Sequence, residues 1–447
     1  MYLSRIKISS LIVLLSVLMF FVTIVSIFGQ FGRTNNRNNN QQNNNQPILE
    51  VYMPPNAANS DWLTISHSND EVYLGSRNGY LKSFNVSEGI RNLFELKKID
   101  LNTPLRQVTF SPSDVGYFVG GNNIYNFQKN RGWISIFNRP SSNILTPELW
   151  SIDFADKSNA CVVGVNFKTV NKRQIVESGL LLCNYDLDKT PTKWNEAIKL
   201  PDSVKNKKIP LQLTAIDFVD KNGWLVGDEG LIWQTKDAGK TWEAHESITE
   251  NPLMSVAVLD EDNAWAVGFN STILQWSKKE TEFSTNNSNT KNEENSQNTN
   301  KTESKITEVI TSIGNTSSTI GATISGSTSS TANTNETNQT VKTTETLPDN
   351  KSWHNYESNP LDNENLKVTL RAVKFADNKK DGWIIGNGGT ILYTDNGKDW
   401  QKLLFTYLPK EQQALLKTVD FYSMTVDEKY CWIAGSKGTI LRIKYKN

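Results

Sequence analysis

Net charge, cysteine and histidine are what this chain has least of, and each shortage closes off a class of function. Lysine plus arginine (47) equals aspartate plus glutamate (47), so the formal net charge is zero. A balanced chain has no general attraction for nucleic acid or for an anionic membrane surface. Three cysteines stand against thirteen tryptophans, which argues against a disulfide framework and for a fold held by aromatic packing. Cys161 and Cys183 fall in neighbouring predicted strands. A cross-strand bridge is one reading of them; three buried thiols acting as small apolar residues is the reading adopted. His67, His245 and His354 are isolated, with no partner at ligand spacing, so no metal site is expected. The chain also lacks a strand–GxxxxGK[ST]–helix phosphate loop and a G-x-S-x-G elbow. No cofactor is expected.

The N-terminus is unlike the rest. From Ile8 to Phe28 the chain is almost wholly apolar, after Arg5 and Lys7, and about 20 such residues span a bilayer as a helix. No small-x-small cleavage site follows. Residues 1–29 therefore read as an uncleaved signal anchor, with the bulk of the chain on the extracytoplasmic side. Residues 30–47 are an Asn/Gln-rich tether. A globular part spans 48–447.

That part repeats itself. Gly223-Trp224-Leu225-Val226-Gly227-Asp228-Glu229-Gly230-Leu231-Ile232-Trp233 returns from Gly382 to Leu392 and again from Cys431 to Leu441. Each copy is an apolar run, a glycine turn and a second apolar run, hence a β-hairpin. Aligned on the glycine that ends the first run, seven units appear, at Gly75, Gly120, Gly164, Gly227, Gly268, Gly386 and Gly435. Alternating strands precede most of them, over 105–110, 149–154, 213–218, 370–375 and 416–421, and Trp194, Trp242, Trp353 and Trp400 mark outer strands. Four short strands per unit and seven units predict an all-β, seven-bladed β-propeller. The Ser/Thr/Asn-rich tract 280–349 interrupts the fifth unit between its third and fourth strands, because Asn350-Lys351-Ser352-Trp353-His354 matches Gly239-Lys240-Thr241-Trp242-Glu243. It reads as a long inserted loop, which costs little because closure entropy grows only logarithmically with length. The seventh unit lacks an outer strand, and Ile48 to Met53 is expected to supply it, closing the ring.

Two stretches fit the Asp-box pattern S/T-x-D-x-G-x-T-W. One carries Asp237, Gly239 and Trp242; the other carries Asp395, Gly397 and Trp400. Their expected role is structural, with a carboxylate accepting turn N–H groups, a positive-φ glycine and a tryptophan beneath. The composite unit, Gly223 to Trp242 and again Gly382 to Trp400, resembles the propellers of the photosystem II assembly-factor family and its non-photosynthetic relatives with BNR-type repeats. That resemblance implies a seven-bladed, exported or lumenal, non-enzymatic protein that holds membrane-protein partners during assembly.

The second residue of each inner strand is expected to ring one mouth of the central channel. Arg106, Trp150, Arg371 and Lys417 would make that mouth basic with one aromatic, a seat for an acidic peptide or carboxylate. Asp153, Asp217 and Asp420 recur three residues further on and read as strand-end partners. Asp boxes also occur in sialidases, but a sialidase-like site needs three converging arginines, and only Arg106 and Arg371 fall at matching places. The function expected is a membrane-anchored, extracytoplasmic protein-binding scaffold without catalysis. The alternatives are a glycan-active protein, hydrolase or lectin, and a surface adhesin.

Overall fold

A computed structural model describes residues 48–52, 61–87, 99–100, 103–128, 130–142, 145–196, 211–278 and 351–446. The apolar run 8–28, the tether 30–47 and the tract 280–349 lie outside the described residues. Among the described residues no helix is long and apolar enough to cross a membrane.

The strands form seven four-stranded antiparallel sheets, one per blade. Strand β1 (Ile48–Tyr52) stands apart in sequence. Blade 1 is β2 (Trp62–Ser68), β3 (Glu71–Ser76), β4 (Tyr80–Asn85) and β5 (Ile99–Asp100). Blade 2 is β6 (Gln107–Phe110), β7 (Gly116–Gly120), β8 (Asn123–Gln128) and β9 (Gly132–Asn138). Blade 3 is β10 (Leu145–Phe154), β11 (Ala160–Val170), β12 (Arg173–Asn184) and β13 (Asn195–Glu196). Blade 4 is β14 (Leu213–Val219), β15 (Asn222–Gly227), β16 (Ile232–Thr235) and β17 (Glu243–His245). Blade 5 is β18 (Leu253–Val258), β19 (Ala264–Gly268), β20 (Ile273–Lys278) and β21 (Lys351–Asn355). Blade 6 is β22 (Leu370–Phe375), β23 (Gly382–Gly386), β24 (Ile391–Thr394) and β25 (Gln401–Lys402). Blade 7 is β26 (Phe421–Val426), β27 (Tyr430–Gly435) and β28 (Ile440–Lys444), completed by β1, with Leu49 opposite Ile443 and Val51 opposite Leu441. Each inner strand packs against the inner strands of both neighbouring blades, β26 against β2 included, so the ring is closed.

Burial explains the repeated phrase. The tryptophans that open it, Trp224, Trp265, Trp383 and Trp432, are among the largest fully buried side chains, wedged between blades. The glycine that ends each run is set by crowding: a Cβ at Gly227 would collide with the carbonyl of Gln212, and one at Gly386 with that of Thr369. In the turn that follows, Glu229 and Gly230 both have positive φ, as do Gly388 and Gly389, the signature of a tight hairpin turn. The first unit departs from this pattern. Trp62 pairs with Ser76 and Thr64 with Gly75, whereas Leu213 pairs with Gly227 and Ala215 with Val226. Ser76, not Gly75, therefore holds the turn-glycine place.

The seams between blades are latched by side chains. A residue near the start of an inner strand accepts a backbone N–H from the next blade: Thr64 from Val108 (2.8 Å), Gln107 from Ile152 (2.8 Å), Ser255 from Val373 (3.2 Å) and Ser423 from Ile65 (3.2 Å). Ala215 offers no acceptor at the 4–5 seam, and there Asp217 accepts the Val258 N–H instead (2.7 Å). Asp153 likewise accepts from Phe218 (2.6 Å), and Asp420 accepts from Gly388 at the 6–7 seam (3.1 Å).

Two expectations are corrected. Cys161 and Cys183 are directly opposed in register and form a disulfide, leaving Cys431 as the free, buried thiol. Opposed strand positions bring Cβ atoms within bridging reach. In the second Asp box the acceptor is not Asp395. Asn396 Oδ1 accepts the Lys398 and Asp399 N–H groups (both 2.9 Å) and the Thr394 hydroxyl (2.9 Å). In the first box Asp237 does this work, taking the Thr241 N–H (2.9 Å) and hydroxyl (2.6 Å), while Trp242 Nε1 donates to Gly239 O (3.0 Å). The second box has one residue fewer between acceptor and glycine, which moves the role from aspartate to asparagine.

Replacing Gly227 or Gly386 by alanine forces a methyl against a carbonyl, and an overpacked core loses about 1–3 kcal/mol. Thermal unfolding of Gly227→Ala should show that loss, whereas Gly132→Ala, with open space at its Cβ and only its positive φ to strain, should lose less.

Candidate functional site at the channel mouth

Strand direction sorts the loops. In every blade the second-to-third turn and the connection to the next blade open on one face; the first-to-second and third-to-fourth turns, Asp boxes included, open on the other. The first face carries the channel mouth. Leu63, Trp150, Thr214, Met254, Arg371 and Tyr422 each sit at a register shift between the first two strands of their blade. A bulge re-aims the residue it frees, and the same residue recurs at the rim because the bulge recurs. In blade 2 Arg106 holds this place, its N–H donating to Val119 O (2.9 Å).

Three of the four rim residues expected from sequence are thus at the mouth, and one is not. Lys417 caps the end of helix α1 (Lys410–Leu416) on the connection into blade 7, and Tyr422 holds the seventh rim position. The spacing to the turn glycine carried the signal. Leu213, Leu149 and Leu370 precede theirs by 14, 15 and 16 residues, as Phe421 precedes Gly435 by 14, but Leu416 precedes it by 19.

The rim is not uniformly basic. Arg106 is neutralised by Glu148 (Nε–Oε1 2.8 Å) and lies over the Trp150 ring (5.9 Å). Arg77, missed in the sequence, pairs with Asp61 (3.1 Å) and approaches the Tyr422 ring at 6.0 Å. Arg371 also approaches the Tyr422 ring, at 5.3 Å, and its Nε donates to a neutral acceptor, Asn387 Oδ1 (2.7 Å). It has no ion pair among the described residues. Burial first, then Asp61 and Asp420, hold the Tyr422 hydroxyl above the usual phenol range. Arg106 and Arg371 therefore belong to two clusters, one on Trp150 and one on Tyr422.

Deeper in the channel wall, burial pushes the Asp153 carboxyl up to about 6, against the Phe218 N–H and Lys374. Burial and the Asp153 charge together raise Asp217 well above the carboxylate range. His67, from blade 1, is lowered by burial and bonds Thr425 Oγ1 (2.7 Å). No group of three or more His, Cys, Asp or Glu among the described residues is arranged to hold a metal ion.

The apolar surface is one-sided. Of eleven exposed large hydrophobic residues among those described, eight fall on loops of the mouth face: Val170, Ile175, Ile248, Phe269, Leu366, Leu404, Tyr407 and Leu415. Val170 and Ile175 flank the tip of the β11–β12 hairpin, which runs beyond Gly164 and stands off the same face. This bias makes the mouth face the candidate interaction surface.

Fold and rim define a seven-bladed Asp-box propeller with one apolar, cation-edged face. Within that class, the family model described as photosynthesis system II assembly factor YCF48 matches residues 190–351. Over that stretch the chain resembles the YCF48 propellers. Among solved structures it resembles YCF48 from Cyanidioschyzon merolae (TM-score 0.52, 12% identity, covering 89% of this chain and 99% of that one). It resembles virginiamycin B lyase from Staphylococcus aureus to the same degree (TM-score 0.52, 10% identity, 89% and 99% covered). At such identities the likeness to either structure is one of fold. No curated protein matches the sequence.

Asp153 and Asp217 make a pH prediction. Their folded pKa values lie above the roughly 4 of an unfolded aspartate, so the stability they contribute is present below about pH 4 and lost as pH rises through the folded values, about 6 for Asp153. Asp217→Asn keeps an acceptor for Val258. The stability difference between this variant and the parent should grow in the variant's favour from pH 4 to 7; a difference independent of pH would contradict the assignment.

Proposed function

We propose that this chain is a protein-binding assembly scaffold that acts without catalysis, anchored in a membrane by residues 8–28 with its propeller on the extracytoplasmic side. The observation that carries the reading is the concentration of exposed apolar side chains on the channel-mouth face, around a rim of arginine and aromatic residues. Such a surface fits a protein partner better than a small polar substrate, because aromatic and arginine anchors ringed by apolar area are the usual composition of a binding hot spot. The family description, an assembly factor, agrees with it. The Cys161–Cys183 bridge supports an oxidising compartment, and the apolar run behind Arg5 and Lys7 supports an anchor. Anchoring confines scaffold and partner to one surface and raises their effective concentration. The arrangement of the arginines gives the sialidase-like alternative little support: Arg106 is occupied by Glu148 and Arg77 by Asp61.

A photocrosslinking residue placed at Thr214, on the mouth, should give a discrete protein adduct in native membranes. The same residue at Lys189, on the opposite face, should give none. Equal labelling from both faces, or turnover of a fluorogenic sialoside by the purified chain, would count against this function.

A further inference from the structure

The rim charges are not equivalent, and the difference singles out one sector. Around Tyr422 the charged groups are Arg77 and Arg371, against Asp61 and Asp420. Arg77 is tied to Asp61, and Asp420 is engaged by the Gly388 N–H. Arg371 is half-buried, fixed through Nε by Asn387, flanked by the Tyr422 ring, and left without a counter-charge among the described residues. A guanidinium that is oriented, partly desolvated and unneutralised is prepared for a carboxylate from outside. On the other side of the channel, Arg106 already has its carboxylate in Glu148.

The same sector carries the apolar half of a site. The connection from β25 to β26 crosses the mouth face from the outer strand of blade 6 to the inner strand of blade 7. It exposes Leu404 (59%), Tyr407 (47%) and Leu415 (42%). Its underside is anchored by Leu403, Leu416 and Val419 in the blade 6–7 core, so the exposed residues sit on a fixed base. Leu366 (77% exposed) lies on the neighbouring connection, which Lys402 ties to blade 6 through Glu364 (2.6 Å).

We infer that the blade 6–7 sector is the part of the mouth face that receives the partner, and that it takes a short acidic–apolar peptide segment. A carboxylate pairs with Arg371 beside Tyr422, and apolar side chains lie outward along Leu404, Tyr407 and Leu366. This rests on the scaffold reading above. The commitment to an acidic segment comes from Arg371: of Arg77, Arg106 and Arg371 it alone has no carboxylate partner among the described residues.

The test uses the full chain in detergent and two fluorescein-labelled short peptides. One is rich in leucine and phenylalanine with a single aspartate; the other is its Asp→Asn counterpart. Fluorescence polarisation should show the acidic probe binding about tenfold more tightly than the neutral one, the scale of one charge-assisted pair. Arg371→Gln should remove that preference and leave the neutral probe unchanged. The double variant Leu404→Ser, Tyr407→Ser should weaken both probes alike. Arg106→Gln should change neither by more than about twofold. Equal binding of the two probes, or a loss with Arg106→Gln matching that with Arg371→Gln, overturns the inference. Thermal melts identify any variant that fails to fold, and Arg371→Met is then read in place of Arg371→Gln. If neither probe binds while Thr214 still crosslinks a partner, the sector assignment falls and the scaffold reading survives; loss of the Thr214 crosslink itself removes the scaffold reading.

Discussion

Everything in this molecule depends on a five-residue strand reaching across the whole sequence. Ile48–Tyr52 pairs with Ile440–Lys444 and supplies the outer strand that blade 7 lacks. Leu49 buries itself among Cys431, Ile433, Leu441 and Ile443, and Glu50 pairs with Arg442, whose guanidinium covers Tyr430 and Trp432. Without that strand the β28 edge is open and the ring has a free end. Closed, the ring holds each inner strand between two neighbours, and the seam latches Thr64, Gln107, Ser255 and Ser423 fall into place. The rim geometry follows, since six bulges and Arg106 can face one axis only if the blades are held at fixed angles around it.

Closure also sets the polarity of the molecule. Ile48 opposes Lys444, at the end of β28, so the chain arriving from the N-terminal side enters at the face opposite the channel mouth. The fifth blade breaks between Lys278 and Lys351 at that same face. The apolar residues collect on the other one. The long segments thus join where the surface is occupied by Asp-box turns, away from the face proposed for docking.

Much of the architecture was legible in the sequence because it repeats. A glycine whose Cβ would meet a carbonyl recurs in six blades and a tryptophan wedged between blades in four, so blades were countable even where the resemblance was weak. Legibility failed where a local pattern imitated the repeat. Residues 416–421 carry the apolar alternation of an inner strand, yet Leu416 serves the core from a helix and the true strand begins at Phe421; Lys417 was placed at the rim and Tyr422 was overlooked. In the second Asp box a one-residue deletion transferred the acceptor role from Asp395 to Asn396, invisible to an alignment anchored on Gly397 and Trp400. The pairing states of Arg106 and Arg371 were beyond reach, because Glu148 and Asn387 become neighbours only through the fold. Cys161 and Cys183 show the cost of a sound average: buried thiols are common, but strict register opposite each other made a bridge.

The closure claim is tested most directly by hydrogen exchange on a variant that cannot close. Leu49→Asp places a charge in the blade 7 core, so β1 should leave β28. If the ring is one cooperative unit, amide protection should fall in the inner strands of all seven blades, including β14 and β18 far from the substitution. Protection lost only in β26, β27 and β28, with the other blades unchanged, would contradict it and show seven sheets that stand without being closed.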